Sequence, residues 1–359
     1  MPRLPAIDTE TNANHSPHVV ILGAGASVAA CPTGDRHGRP LPVMRTLIDT
    51  LDLRSDLERA GLDLSSGNFE QIYSGLAGDA STADLVRDME SRVREYFVRL
   101  ELPDHATVYD ALLLSLREKD VVATFNWDPL LLQAYQRVAD LGRTPKILFL
   151  HGNVGVGYCA TDRVAGLIGG TCGTCGRPLT PSPLLFPVTQ KDYRADPFLG
   201  SQWDALDEYL EHAFMLTIFG YSAPASDAAA RELLQRAWSR NATRDLAQIE
   251  LVDVRGRSDV VANWQDFIVR EHFGVTDRFE HTWAFRQPRA SCDALAGAIL
   301  MNNPWQDAPL LTRGLDAETK LGTLRSAVAS LIAEERELET SGRPFDRGAR
   351  RGEGLAISR

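Results

Sequence analysis

Five short apolar runs punctuate this chain: His18-Val-Val-Ile-Leu22, Val121-Val-Ala123, Ile147-Leu-Phe-Leu150, Phe214-Met-Leu-Thr-Ile-Phe219 and Ile249-Glu-Leu-Val252. Each is close to continuous rather than alternating, the pattern of a strand buried on both faces of a parallel sheet. Strands are therefore predicted at 18–22, 121–125, 147–150, 214–219 and 249–252. Between them the apolar spacing becomes helical. Leu85, Met89, Val93, Phe97 and Leu100 share one face with charges between them, which predicts a long helix at about 82–100. Further helices are predicted at about 42–60, 69–77, 106–118, 202–212, 259–272 and 315–339. Two more begin near Asp128-Pro129 and Ser226-Asp227, where aspartate, with proline in the first case, is a good start signal. Strands alternating with helices predict an α/β fold built on a Rossmann-like, doubly wound parallel sheet.

The organisation follows from where these patterns break. A flexible N-terminus is expected over 1–17 and a main domain over 18–280. Residues 42–119 exceed what one crossover helix needs, so they are expected to form a helical insertion. Over 152–200 periodicity is lost to Gly, Pro, Cys and Thr, which predicts a small loop-rich, Cys-containing module. An irregular and helical region (281–340) and a disordered Gly/Arg-rich tail (341–359) follow.

Composition narrows the class. The 359 residues are 44% hydrophobic and 24% charged, as in ordinary globular proteins. A net charge of −10 argues against nucleic-acid binding through a broad surface. Nothing approaches the ~20 apolar residues of a membrane span, and no signal-peptide core is present, so no membrane role and a cytoplasmic location are expected. Five cysteines are an odd number, and Cys172-Gly-Thr-Cys175 is half of a metal knuckle. Cys159 lies upstream with Asp162 three residues on. The alternative is a decayed module with free thiols. Cys31 and Cys292 read as small buried apolar residues.

Ligands of open parallel sheets bind at the carboxyl ends of the strands. Here those ends carry Gly23-Ala24-Gly25-Ala26-Ser27, Asn126-Trp127-Asp128, His151-Gly152, Gly220-Tyr221-Ser222 and Asp253. A glycine loop, an Asn/Asp pair and a histidine at one edge point to an enzyme acting on a nucleotide. Glycines let the backbone approach a phosphate, and helix-start N–H groups favour anionic oxygens.

These segments resemble, in order and spacing, the motifs of the sirtuin (SIR2) family over about residues 18–255. Gly23-Ala-Gly25-Ala-Ser27 is similar to its first motif, Thr124-Phe-Asn126-Trp-Asp128 to its second, Ile147 to Gly152 to the strand ending in its catalytic histidine, and Phe219-Gly220-Tyr221-Ser222 to the loop under the adenosine ribose. The resemblance implies NAD as substrate, bound by Gly23, Ala24, Gly25, Ser27, Gly220, Ser222 and Asp253, and two cysteine pairs around a structural zinc outside the nucleotide cleft, which makes Cys159, Asp162, Cys172 and Cys175 its candidate ligands. Asn126, Asp128 and His151 are the candidate catalytic residues. Asn126 can donate and accept toward a ribose hydroxyl and water, or serve as a turn or cap. Asp128 can hold the nicotinamide amide or stabilise a developing cation, or cap the helix behind Pro129. His151 is the candidate general base. Ser27 and Ser222 are expected near phosphate or ribose, or as helix caps. Asp253 is equally an acceptor for an adenosine hydroxyl or a turn residue.

Two departures shape the functional expectation. After the first motif the deacylases of the family carry Gly-Ile-Pro-Asp-Phe-Arg, where this chain reads Ala30-Cys31-Pro32-Thr33-Gly34-Asp35-Arg36. The segment that pairs with an acyl-lysine peptide is nearest to Leu184-Leu-Phe186-Pro187-Val188-Thr189, and its proline removes a backbone donor. Asn68 to Ile72, Thr189 to Tyr193 and Gly220 to Asp227 are similar to segments of the bacterial SIR2-like branch, whose members hydrolyse NAD in antiphage defence. The expectation is NAD hydrolysis to nicotinamide and ADP-ribose. A protein deacylase and a non-catalytic NAD or ADP-ribose sensor are the alternatives. Unchecked hydrolysis would poison the host, so a homo-oligomer or a regulatory protein partner is expected, with the 42–119 block and the 315–339 helix as contact candidates.

Overall fold

The computed structural model describes residues 16–65, 67–188, 193–224 and 227–341. The tail over 341–359, apart from Ser341, and all but two residues of the N-terminus over 1–17 lie outside them, as do Thr189 to Asp192 and Ser226. In chain order the described strands are β1 (His18–Leu22), β2 (Val121–Thr124), β3 (Lys146–Phe149), β4 (Val156–Cys159), β5 (Val164–Leu167), β6 (Thr180–Pro181), β7 (Met215–Phe219), β8 (Gln248–Val252) and β9 (Phe273–Thr276).

Six of them form one sheet in the order β3-β2-β1-β7-β8-β9, every neighbouring pair parallel. This is the expected doubly wound sheet, with one more strand than the sequence pattern gives. β9 escapes the pattern because Phe-Gly-Val-Thr is short and only half-buried at the sheet edge. Alternate residues of β1 feed opposite faces, as strand geometry requires. Val20 and Leu22 join the helices between β1 and β2 and the helix Leu321–Ser341 in one core. Val19 and Ile21 join the helices Pro197–His212, Ala228–Ser239 and Arg257–Trp264 in the other.

The helical expectations hold for Phe69–Leu76, Ala83–Val98 and Val108–Ser115. The single helix expected at about 42–60 is instead Leu47–Thr50 and Arg54–Arg59, broken where Asp52 takes φ 52°. The helix expected at 202–212 starts earlier, at Pro197, because Asp196 caps Phe198 and Leu199 and proline suits the first turn. The helix expected at 259–272 stops at Trp264, and the last helix begins at Leu321 rather than near 315. The module at 152–200 has more regular structure than expected: β4, β5 and β6 form an antiparallel sheet in the order β5-β4-β6. The irregular stretch 281–310 contains the helices Trp283–Arg286 and Ser291–Ile299.

Leu321–Ser341 is fastened by arginine–carboxylate pairs. At its centre Arg289 and Glu335, both side chains 1% exposed, meet through Nε–Oε1 at 2.6 Å and Nη2–Oε2 at 2.8 Å. Arg289 also donates to the carbonyls of Leu116 and Arg143. Arg143 with Glu339 and Arg325 with Asp140 add two more exposed pairs.

Candidate functional site

The strand order reverses between β1 and β7, so the loops that follow them part company at the C-terminal edge. Here they cross at very close range. The Gly25 N–H donates to the Gly220 carbonyl at 3.0 Å, and the Gly23 N–H donates to the Phe219 carbonyl at 3.0 Å. Gly220 sits at φ 62°, and a Cβ there would lie 2.3 Å from the Ala26 nitrogen. The glycines therefore serve the crossing of two loops. This changes one expectation: the Gly25 N–H is spent on the neighbouring loop rather than left to face an anion.

Behind the crossing lies a buried polar network. Asn126, placed just past β2, directs its amide nitrogen to the Gly23 carbonyl at 2.9 Å, to Ser27 Oγ at 2.9 Å and to Tyr109 Oη at 3.3 Å. Ser27 Oγ donates to Asp128 Oδ2 at 2.6 Å and lies 2.8 Å from Tyr109 Oη. Since the serine proton goes to the carboxylate, the tyrosine proton goes to the serine. Asp128 Oδ1 accepts the Leu130 N–H at 3.1 Å, so this residue does support the start of the helix Leu130–Val138. Burial pushes the Asp128 carboxyl up from its usual range, against the lowering pull of Ser27. Burial also lifts the Tyr109 hydroxyl well above its ordinary value. Ser27 thus faces protein groups here, and the amide hydrogens of Asn126 are already committed to the loop and the network.

His151 lies two residues past β3 and is buried among aromatic rings. Phe125 meets it edge-on at 4.7 Å between centroids, and Tyr193 lies parallel at 5.8 Å. Phe125 also stacks on Tyr221 at 4.1 Å. The Nε2 of His151 is 4.0 Å from Asp227 Oδ1, and Tyr221 Oη donates to Asp227 Oδ2 at 3.2 Å. Gly152, at φ 75°, lets the following turn pass so close to Pro183 that a Cβ would lie 1.7 Å from its carbonyl oxygen.

The remaining candidates sit further out. Ser222 is exposed and its carbonyl accepts from Asn263 Nδ2 at 2.8 Å. Asp253, at the end of β8, gives both carboxylate oxygens to Arg255 and one also to the Arg255 N–H at 2.9 Å, the turn arrangement foreseen as its alternative. Ala24 is the first residue of the helix Ala24–Ala30, with Gly23 as its cap. Sequence reasoning missed Tyr109 because its helix is mostly apolar and reads as core. It saw Asp227 only as a helix start.

In the Cys-containing module the four expected ligands do converge. The donor atoms of Cys159, Asp162, Cys172 and Cys175 all lie within 4.8 Å of one another and could hold a metal ion. Asp162 Oδ2 is 3.3 Å from Cys159 Sγ and 3.2 Å from Cys172 Sγ, and the Sγ atoms of Cys159 and Cys175 are 3.7 Å apart. Cys31 and Cys292 are buried, as expected.

No protein-family model matches this chain, and no curated protein does. Among solved structures, it is similar to a Sir2 enzyme from a study of mechanism and regulation, at 14% identity over 90% of this chain and 95% of that one, TM-score 0.36. A sirtuin from a study of substrate affinity is 17% identical over 67% of this chain and 83% of that one, TM-score 0.35. A Sir2 homologue complexed with ADP-ribose is 15% identical over 71% and 93%, TM-score 0.36. At these values the likeness carries no argument, and the fold class rests on the sheet order itself. No described helix is long and apolar enough to cross a membrane.

Proposed function

We propose that this chain is a SIR2-like NAD hydrolase that cleaves the nicotinamide–ribose bond to give nicotinamide and ADP-ribose. The observation that carries this reading is that the Ser27–Asn126–Asp128 network and the buried His151 lie past the C-terminal ends of neighbouring strands of one parallel sheet. The sequence resemblance to the bacterial SIR2-like branch extends the reading to antiphage defence. In the reaction the C1′–N bond breaks and its electron pair leaves with nicotinamide. A water oxygen forms the new bond to C1′, and its proton passes to His151 and on to solvent. Asn126, its amide hydrogens engaged, offers Oδ1 to a ribose hydroxyl. Asp128 holds Ser27, and through it Asn126, in register, and its ionised form would stabilise the developing cation.

Within the described residues 182–188, Pro187 has no N–H to give an incoming peptide strand, which supports hydrolysis over peptide-dependent chemistry. Phe186 turns inward between Tyr73 and Trp127, with centroids at 5.1 and 4.9 Å. At the cysteine cluster the reading includes a structural zinc. A tetrahedron with Zn–S bonds of about 2.3 Å has S–S edges of about 3.7–3.8 Å, which the 3.7 Å between Cys159 and Cys175 fits. The ion would staple the β4-β5-β6 sheet. A cytoplasmic location, and restraint by self-assembly or a regulatory protein, complete the proposal.

The test is a mass-resolved product assay with NAD, with and without an acetyl-lysine peptide, beside Asn126→Ala and His151→Ala. Peptide-independent nicotinamide and ADP-ribose, lost in both variants, is the expected result. Acyl-ADP-ribose made only with peptide would make the chain a deacylase, and NAD binding without turnover would make it a sensor.

A further inference from the structure

We propose that Asp227 is the positioning residue of His151: its buried carboxylate holds the imidazole in place and supports the charge it gains on taking a proton. The inference rests on the hydrolase reading above. Asp227 occupies the cap position of the helix Ala228–Ser239, yet its side chain makes no capping hydrogen bond. Aspartate is favoured at that position because it satisfies the first N–H groups of a helix. This one turns away instead. One oxygen accepts from Tyr221 at 3.2 Å and the other faces His151 Nε2 at 4.0 Å.

The surroundings make that choice consequential. Asp227 is 5% exposed and His151 6%, so water screens their interaction little. Tyr221, which fixes the carboxylate, stacks on Phe125, and Phe125 packs edge-on against His151. The ring and its carboxylate are thus held by one continuous set of contacts. At 4.0 Å the pair is a charge contact, beyond hydrogen-bond reach. A shift of about 1 Å would close it, and hydrogen bonds of this kind commonly tighten when substrate binds. Among the described residues the titratable groups around His151 are Asp227, Tyr193 and Tyr221, with Glu70 beyond Tyr221. Burial keeps both tyrosines neutral across the working range, which leaves Asp227 as the nearest of these charges to the imidazole. A carboxylate beside a general base orients it and stabilises its protonated form.

The experiment follows NAD hydrolysis against pH in the wild type, Asp227→Asn, Asp227→Glu and Tyr221→Phe. Alongside it, the His151 ring is titrated by NMR on histidine-labelled protein, its signal assigned through His151→Gln. Asp227→Asn should lower kcat about 100-fold with KM for NAD changed less than about threefold. Its acid limb of kcat/KM should move to lower pH, and Asp227→Glu should recover most of the rate. The His151 midpoint should fall in Asp227→Asn, and a smaller change in the same direction is expected for Tyr221→Phe, which serves as the readout if Asp227→Asn does not fold. A purely structural carboxylate would alter stability without moving the limb or the midpoint. A kcat within threefold of wild type with both unmoved would overturn the proposal. A wild-type chain that leaves NAD intact overturns the hydrolase reading and any role in it, and the pairing itself then stands or falls on the titration.

Discussion

Replacing Glu335 by Gln should be among the most destabilising single changes in this chain. The carboxylate makes two charge-assisted bonds to Arg289, at 2.6 and 2.8 Å, and both side chains are 1% exposed. Glutamine keeps the shape but leaves the guanidinium buried without its counter-charge. Removing one partner of a buried pair costs about 3–5 kcal/mol, a large part of the about 5–15 kcal/mol by which domains are stable. The bonds from Arg289 to the Leu116 and Arg143 carbonyls soften the loss without neutralising the charge. At about 1.3 °C per kcal/mol for a chain of this size, Tm should fall by about 4–7 °C. Urea titration should show a lower midpoint with an unchanged slope. The double variant Arg289→Met/Glu335→Leu should recover most of the loss, since it removes both charges. Asp140→Asn, breaking an exposed pair with Arg325, should leave the urea midpoint close to that of the wild type. A Glu335→Gln chain within about 1 kcal/mol of wild type, or a double variant as weak as the single one, would refute this reasoning.

Three further outcomes follow from the geometry. Gly220→Ala places a Cβ 2.3 Å from the Ala26 nitrogen and asks alanine to hold φ 62°, about 1–2 kcal/mol from the backbone alone; calorimetry should find lower Tm and weaker NAD binding, and neither changing would show that the loops separate freely. Elemental analysis should find about one zinc per chain, lost with a fall in Tm on chelation or in Cys175→Ser, whereas metal-free protein indifferent to chelator would remove the ion. Burial lowers the His18 imidazole to about 4, so the unfolded chain binds a proton below about pH 6.5 that the folded chain refuses. The share of His18, read as the difference between wild type and His18→Gln, should be a loss of on the order of 3 kcal/mol between pH 6.5 and 4, and parallel pH profiles for the two proteins would exclude this group. Glu250, raised by burial to about 7, acts in the opposite sense: its contribution is full below about pH 4.5 and fades as pH rises through 7.

The sheet was legible because strands buried on both faces must be apolar almost throughout. His18 to Leu22 is such a strand, and its predicted limits are those observed. β9 was not legible, because half-burial at an edge permits Gly274 and Thr276 in so short a run. The 42–60 region has helical spacing at Leu47 and Leu51 and again at Leu53 and Leu57, but spacing does not record that Asp52 enters the left-handed region. At the site, the strand-end positions of Asn126 and His151 could be read directly. What Ser27, Gly25 and Asp128 touch could not, since Ser27 meets Tyr109, Asn126 and Asp128, and Gly25 meets Gly220, across long stretches of chain. Asp227 matches a good helix start, so its departure from the capping role was visible only in three dimensions.

The Arg289–Glu335 pair also sets a timetable for synthesis. Its members are 46 residues apart, and ribosomes add about 5–20 residues per second, so Arg289 emerges several seconds before its counter-charge exists. Through that interval the core surface that later receives Leu324, Val328 and Ile332 has no cover. The nascent chain can assemble its sheet strand by strand, but the helical face stays open to chaperones, and to other nascent chains, until the helix Leu321–Ser341 arrives to close it.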